Sequence, residues 1–407
     1  MSDSHSPYIR FPFSKAGLMP QEEMLEVMKS KKKLIIGVPR EDDKVESRVP
    51  LTPEAVEILV NNGHELIIES NAGKAANYTD NDYSELGGYI VENKKSVLQA
   101  DIVLKVAPLS LNELNMMKGH QVVFSSLHLN GQTEEYIRLL MQKRMTAISF
   151  ENIKDENNAF PVVRSMSAIA GTTSILIAAE LLSNYHGGKG VMLGGITGIT
   201  PTEVVVIGAG TAAEYAIRAA LGLGASVRIF DNSVHKLNRI QTDLGMRLNT
   251  SVFHPKVLEK ALRSADVVIG ALNQIEQRTR FYVTEEMVMN MKKGTVIIDI
   301  SIDQGGCVET SEYRAQNDPV FIKHGVIHYS VTNLPSRVSR TASIALSNVL
   351  SPLLIDIANM GGVQKMLKED LGVRHGVYIY NGLLTNRYIG EHFGIPSKDI
   401  DLLMAAF

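Results

Sequence analysis

Gly208, Gly210 and Ala213, with Asp231 further on, are the residues whose types and spacing first point to chemistry. They lie in Val204-Val-Val-Ile-Gly-Ala-Gly210-Thr-Ala-Ala213 and the residues that follow it. Val204 to Ile207 is a β-branched run suited to a strand buried on both faces. Gly208 permits a tight turn, and Gly210 lets backbone approach a pyrophosphate with no Cβ in the way. Ala213 takes the third position of the pattern, where a small side chain lets the following helix pack on the strand, and that helix turns its free N–H groups toward the phosphates. Ser226 to Phe230 reads as the next strand. Asp231 sits at its end, 23 residues after Gly208, where a carboxylate accepts from the hydroxyls of an adenosine ribose. Strand, turn, helix, strand and acid in that order predict a dinucleotide site, and the acid favours NAD over a cofactor carrying a 2′-phosphate.

Other elements must position this unit. At 407 residues the chain is longer than single cores usually grow, so two domains are expected. Hydrophobic residues are 44% and charged residues 21%, a globular composition, and the net charge of −3 with intermixed signs argues against a nucleic-acid surface or an anionic membrane as partner. The single cysteine, Cys307, excludes an intrachain disulfide and a cysteine-rich metal site, fits a reducing cytoplasm, and reads as packing. The longest uncharged stretches, Ser165 to Ala179 and Thr341 to Ile355, have 15 residues each, short of a bilayer span.

Before the nucleotide unit, Lys33 to Val38, Glu65 to Glu69, Ile102 to Val106 and Val122 to Phe124 read as strands, with a helix starting at Thr52-Pro53. Residues 1–32 read as an arm. Pro161 to Tyr185 is apolar on most sides and reads as a buried connecting helix. After the unit come strands at Val267 to Gly270, Val296 to Ile300 and Val326 to Val331. A helical stretch, Thr341 to Met360, then crosses back. The expectation is an α/β chain of two doubly wound, Rossmann-like domains. The first is discontinuous, 33–160 plus 341–407, and the second is 161–340, with the active site in the cleft between them.

Arg48-Val-Pro-Leu-Thr-Pro53, Leu127-His128-Leu129, Met166-Ser167 with Ala170-Gly171, Gly187-Gly-Lys-Gly190, the Gly208 turn, Ile302-Asp303-Gln-Gly-Gly-Cys307 and Val331-Thr-Asn333-Leu-Pro335 together resemble alanine dehydrogenase. They follow that family's order over about Lys33 to Ser351. The resemblance implies reversible oxidative deamination of L-alanine to pyruvate and ammonium with NAD, in a cytoplasmic homo-oligomer, a hexamer by the family's habit. It implies Arg48 as the fork that binds the substrate carboxylate, with Lys105 and Asn333 as further substrate contacts. His128 and Asp303 become the acid–base pair, and Ser167, Asp303 and Asn333 join Gly208, Gly210, Ala213 and Asp231 at the cofactor.

Two segments depart from the family's pattern. Where alanine dehydrogenase has Lys-Val-Lys-Glu-Pro, with the second lysine on the substrate carboxylate, this chain has Lys105-Val-Ala-Pro108. Where that family has Pro-Gly-Ala-Lys-Ala-Pro near the nicotinamide, Asn273 to Arg280 stands instead. His324-Gly-Val and Asn333-Leu-Pro-Ser-Arg-Val resemble the related alpha subunit of nicotinamide nucleotide transhydrogenase, so a hydride-donor subunit stays open. A dinucleotide-binding protein without catalysis, or one with an altered substrate, also stays open.

Overall fold

The computed structural model describes residues 31–127, 131–272 and 282–405. The chain builds one sheet from each half of its sequence. The first half contributes β1 (Ile35–Val38), β2 (Glu65–Glu69), β3 (Tyr89–Val91), β4 (Ile102–Leu104), β5 (Val122–Ser125) and β6 (Thr146–Ser149). The second contributes β7 (Glu203–Ile207), β8 (Ser226–Phe230), β9 (Asn249–Ser251), β10 (Val267–Gly270), β11 (Val296–Asp299), β12 (Val320–Lys323) and β13 (Val326–Tyr329). Near the C-terminus β14 (Val377–Tyr380) and β15 (Leu383–Leu384) return to the first sheet.

Among the described residues the sheet orders are β15-β14-β6-β5-β4-β1-β2-β3 and β12-β13-β11-β10-β7-β8-β9. Both are parallel apart from their late additions: β14 runs antiparallel to β6, and β12 antiparallel to β13. Both wind outward from a central pair, β1 with β4 and β7 with β10, and so reverse direction there. In open α/β sheets the crevice above such a reversal is where ligands bind. Each sheet carries hydrophobic clusters on both faces, as the near-continuous Val/Ile runs require. The fold is thus the expected pair of doubly wound sheets. The β14–β15 return and the strands β3, β6, β9 and β12 are additions that the sequence reading did not contain.

The helices that matter for the site are α1 (Pro53–Asn61), α2 (Leu111–Met116), α3 (Pro161–Leu182), α4 (Thr211–Gly222), α5 (Val234–Leu244) and α6 (Ser339–Asn359). Helix α1 opens with Pro53 at its first position as expected, although Thr52 makes no side-chain cap. Helices α3 and α6 carry the chain between the two sheets. By length and composition alone Pro161–Leu182 and Leu334–Asn359 are each long and apolar enough to cross a bilayer, although the uncharged run within each is shorter. Each is instead half covered by the protein's own packing, α3 chiefly against α4, and α6 against α3 and α1. A Cβ at Gly171 would lie 2.1 Å from the carbonyl oxygen of Ala212, so α3 and α4 touch backbone to backbone.

Candidate active site

The nucleotide side is built at the β7/β10 reversal. Gly208 has φ +113, and a Cβ there would stand 2.3 Å from the carbonyl oxygen of Ala271 at the end of β10, so both conformation and space demand glycine. Gly210 caps α4, and nothing lies within 4 Å of where its Cβ would be, which leaves the N-terminus of that helix open to an anion. Ala213 is fully buried under the helix. Asp231, at the end of β8, is 6% exposed, and its two oxygens accept from Ala209 N–H (2.8 Å) and Ser233 N–H (2.7 Å). The carboxylate therefore ties the glycine turn to the start of α5.

Beside these residues lies a cleft of about 560 Å³ lined by Gly210, Asp231, Ser233, Lys236, Phe253 and Tyr282. The Phe253 and Tyr282 rings, 4.3 Å apart between centroids, give it an aromatic wall. The open glycine turn, the acid at the strand end and the aromatic wall together fit the adenosine diphosphate half of a dinucleotide. The sequence reading missed Phe253, Tyr282 and Lys236, which are far from the fingerprint in the chain or carry no motif of their own. Replacing Asp231 by Ser removes the ribose acceptor and loosens the turn. NADH affinity falls about tenfold, one charge-assisted hydrogen bond's worth, and NADPH gains relative to NADH because Lys236 then faces the phosphate without an opposing carboxylate. Fluorescence titration of both cofactors checks this, and a wild-type protein that already binds NADPH as tightly as NADH contradicts it.

A second cluster of candidate site residues is built at the β1/β4 reversal. The segment after β1 is mostly buried from Glu46 onward and stitched to residues nearly 300 positions later in the chain. Serines 336, 343 and 347 lie just before and along one face of α6, and their hydroxyls accept from the N–H groups of Ser47 (2.9 Å), Val49 (2.9 Å) and Thr52 (2.8 Å). These are the donors of an extended segment that has no sheet partner to satisfy them.

Within this strap Arg48 is 7% exposed and Glu46 1%. Glu46 grips the guanidinium bidentately, Oε1 accepting from Nε at 2.8 Å and Oε2 from Nη2 at 2.6 Å, and Oε1 also accepts from the Arg48 backbone N–H at 2.9 Å. Nη1 points at the sulfur of Met166 on α3, 3.2 Å away. Glu46 further accepts from Asn333 Nδ2 at 2.6 Å and Ser336 Oγ at 3.0 Å. Burial works to raise the Glu46 carboxyl, but the Arg48 charge and these hydrogen bonds prevail and hold it below the ordinary range. Asn333 is left-handed (φ +56), and its backbone N–H donates to Asp303 Oδ1 at 3.2 Å. Asp303 lies in the 3-10 turn Ile300–Gln304 that β11 runs into, exposed at the carboxyl edge of the second sheet.

Of the residues read from sequence, Arg48, Asn333 and Asp303 thus meet in one chain of contacts across the two sheets, with Met166 beside Arg48 and Ser167 next to it on α3. His128 lies outside the described residues, as do Asn273 to Arg280. Lys105 makes none of these contacts. Its ammonium is 2.9 Å from Glu113 Oε2, 3.4 Å from the Pro108 carbonyl and 3.7 Å from Glu41 Oε2, and the residue is 5% exposed. The cause is local: Ser110 and Glu113 form a capping box at the start of α2, which brings the carboxylate back over the end of β4. Glu41, whose Oε1 accepts from Val106 N–H (2.6 Å) and Ala107 N–H (3.3 Å), closes the same corner. Burial, opposed by the Lys105 charge, pushes its carboxyl up to about 8. Sequence reasoning missed Glu46 and Glu41. Cys307 is fully buried against Asp299, in the packing role expected of it.

With that geometry in view, the comparisons decide the family. Residues 37–170 match the description "Alanine dehydrogenase/PNT, N-terminal domain", and residues 174–387 match "Alanine dehydrogenase/PNT, C-terminal domain". The chain belongs to the alanine dehydrogenase/PNT family. Alanine dehydrogenase 2 of Staphylococcus aureus (strain USA300) is 36% identical over 367 residues, 90% of this chain and 98% of that one. Among solved structures, an L-alanine dehydrogenase superposes with a TM-score of 0.83 at 36% identity, covering 88% of this chain and 99% of the other. A transhydrogenase from Sinorhizobium meliloti gives 0.74 at 23% identity, covering 87% and 99%, a likeness of fold. As a member of the alanine dehydrogenase/PNT family the chain is an oxidoreductase, and its cofactor is NAD. His324, part of the transhydrogenase-like segment, occupies the turn between β12 and β13, with Nε2 2.7 Å from Glu285 at the surface.

Proposed function

We propose that this chain catalyses the reversible NAD-dependent oxidative deamination of L-alanine to pyruvate and ammonium, as a homo-oligomer in the cytoplasm. The observation that carries the reading is the hydrogen-bonded chain Arg48–Glu46–Asn333–Asp303, which joins a buried guanidinium to a carboxylate at the ligand-binding edge of the nucleotide sheet. Arg48 has one edge held by Glu46 and turns Nη1 toward a thioether, the flexible group most easily displaced by a substrate carboxylate. Binding there places the 2-carbon of the substrate between the two sheets. NAD, when bound, accepts the hydride that this carbon gives up. Asp303 takes the proton from the attacking water and exchanges protons with the departing ammonia. His128, one residue past the described end of the β5 segment, donates to the substrate oxygen.

The second reading, an altered substrate, is favoured by one finding: Lys105 is engaged with Glu113, and Ala107 stands where the family's carboxylate-binding lysine would be. One charge-assisted hydrogen bond fewer is worth roughly 1.5–3 kcal/mol, so Ala107→Lys tightens the Michaelis constant for pyruvate about tenfold or more and leaves NADH affinity unchanged. Steady-state assays of both proteins against a panel of amino and 2-oxo acids test the two readings together. Highest kcat/KM with alanine and pyruvate supports the first, and a preference for a bulkier 2-oxo acid supports the second. No turnover with any amino acid removes the dehydrogenase reading.

A further inference from the structure

Glu46 accepts more hydrogen bonds than an anchor for Arg48 requires. Its two oxygens take five donors: the backbone N–H, Nε and Nη2 of Arg48, Asn333 Nδ2 and Ser336 Oγ. A carboxylate has about four lone-pair sites, so this one is saturated, and at 1% exposure water cannot substitute for a donor that leaves. Two of the donors come from the turn Leu334–Val338 and the residue before it, on the nucleotide side, and three from the substrate-side strap.

A substrate carboxylate reaching Arg48 finds Nε taken and must use the Nη1/Nη2 edge, where Nη2 is already shared with Glu46 Oε2. Drawing Nη2 toward the substrate leaves Oε2 to lean on its other donor, the Asn333 amide at 2.6 Å. Asn333 is in turn fixed by its left-handed backbone and by its N–H on Asp303. We propose that Glu46 is a positioning residue that couples the occupancy of Arg48 by a 2-oxo acid carboxylate to the seating of the nicotinamide half of NAD(H) through Asn333. The proposal rests on the dehydrogenase reading above and extends it. The coupling works in both directions, since two ligands that favour one arrangement tighten each other by the same factor.

The test is NADH titration by fluorescence with and without saturating pyruvate, in the absence of ammonium so that no amination occurs. In the unmodified protein pyruvate lowers the NADH dissociation constant about tenfold or more. In Glu46→Gln the size is kept, but an amide N–H faces donors and the charge is gone, and the ratio with and without pyruvate falls to within about twofold of one. Asn333→Gly cuts the relay differently. Glycine tolerates the left-handed backbone and leaves the Glu46–Arg48 pair intact, so thermal unfolding shifts little; NADH alone binds more weakly, since Asn333 is itself a cofactor contact in the reading above, and the ratio with and without pyruvate falls to within about twofold of one. A Glu46→Gln or an Asn333→Gly protein that keeps the wild-type ratio overturns the proposal, as does a wild-type ratio of one. Turnover with alanine, measured on the same preparation, decides separately whether the dehydrogenase reading stands. An active enzyme whose coupling survives both substitutions loses only the role assigned to Glu46.

Discussion

Asp303→Ala and His128→Ala each lower kcat for alanine oxidation by about 100-fold or more, the scale of a general acid–base contribution, far more than they weaken NADH binding. For Asp303 the structure sharpens the expectation. Its Oδ1 accepts the Asn333 N–H, so a loss on Asp303→Ala could come from a displaced Asn333 rather than from a missing proton acceptor. Asp303→Asn separates the two causes. The amide oxygen still accepts from Asn333 but takes no proton, so an asparagine variant as slow as the alanine variant assigns the loss to proton transfer. Recovery of most of the activity by Asp303→Asn, or near-full turnover in Asp303→Ala, takes Asp303 out of the proton path. The same kinetic comparison removes His128 if His128→Ala stays fast.

The largest change in stability is expected from Arg48→Leu. Removing one partner of a buried ion pair leaves the other uncompensated and costs roughly 3–5 kcal/mol. Two lost charge-assisted hydrogen bonds to the substrate raise the pyruvate Michaelis constant by about 100-fold or more. The pH dependence identifies the stranded charge. In the wild type Glu46 is held below the ordinary carboxylate value, so its contribution is present above about pH 4.3, the unfolded value, and is lost as pH falls through the folded one. Without Arg48, burial dominates and raises the folded value above the unfolded one. The variant then loses stability as pH rises through about 4.3, until the folded value is passed. The gap in unfolding midpoint between wild type and variant therefore widens from pH 4.5 to pH 7. A gap of equal size at both pH values means that Glu46 is not the charge that Arg48 neutralises.

How much of this was legible before the structure depends on whether the signal was local. Buried parallel strands announce themselves as β-branched runs, so Glu65–Glu69, Ser226–Phe230 and Val267–Gly270 were read to the residue. The glycine turn was legible because one conformation and one close approach admit so few residue types. Glu46 was not, because an acid two residues from an arginine in a charged loop looks like a solvated neighbour until the partners nearly 290 residues away are in place. The serines of α6 failed for the same reason: in a helix they look indifferent, and only the unsatisfied N–H groups of the strap give them work. Lys105 is the opposite case. The Ser110-Leu-Asn-Glu113 capping box was visible in the sequence and would have shown that a carboxylate folds back onto the end of β4.

The strap that carries Arg48 has a consequence for the order in which the protein is made. Arg48 leaves the ribosome nearly 300 residues before Ser336, Ser343 and Ser347, and β14 and β15 follow later still. At translation rates of roughly 5–20 residues per second, the strap waits many seconds with its N–H groups facing water. Both sheets can assemble most of their strands in that interval, but the substrate cation cannot be set until α6 docks. A nascent chain arrested before α6 should therefore hold the nucleotide crevice without the arginine beside it, so that cofactor recognition matures on the ribosome ahead of substrate recognition.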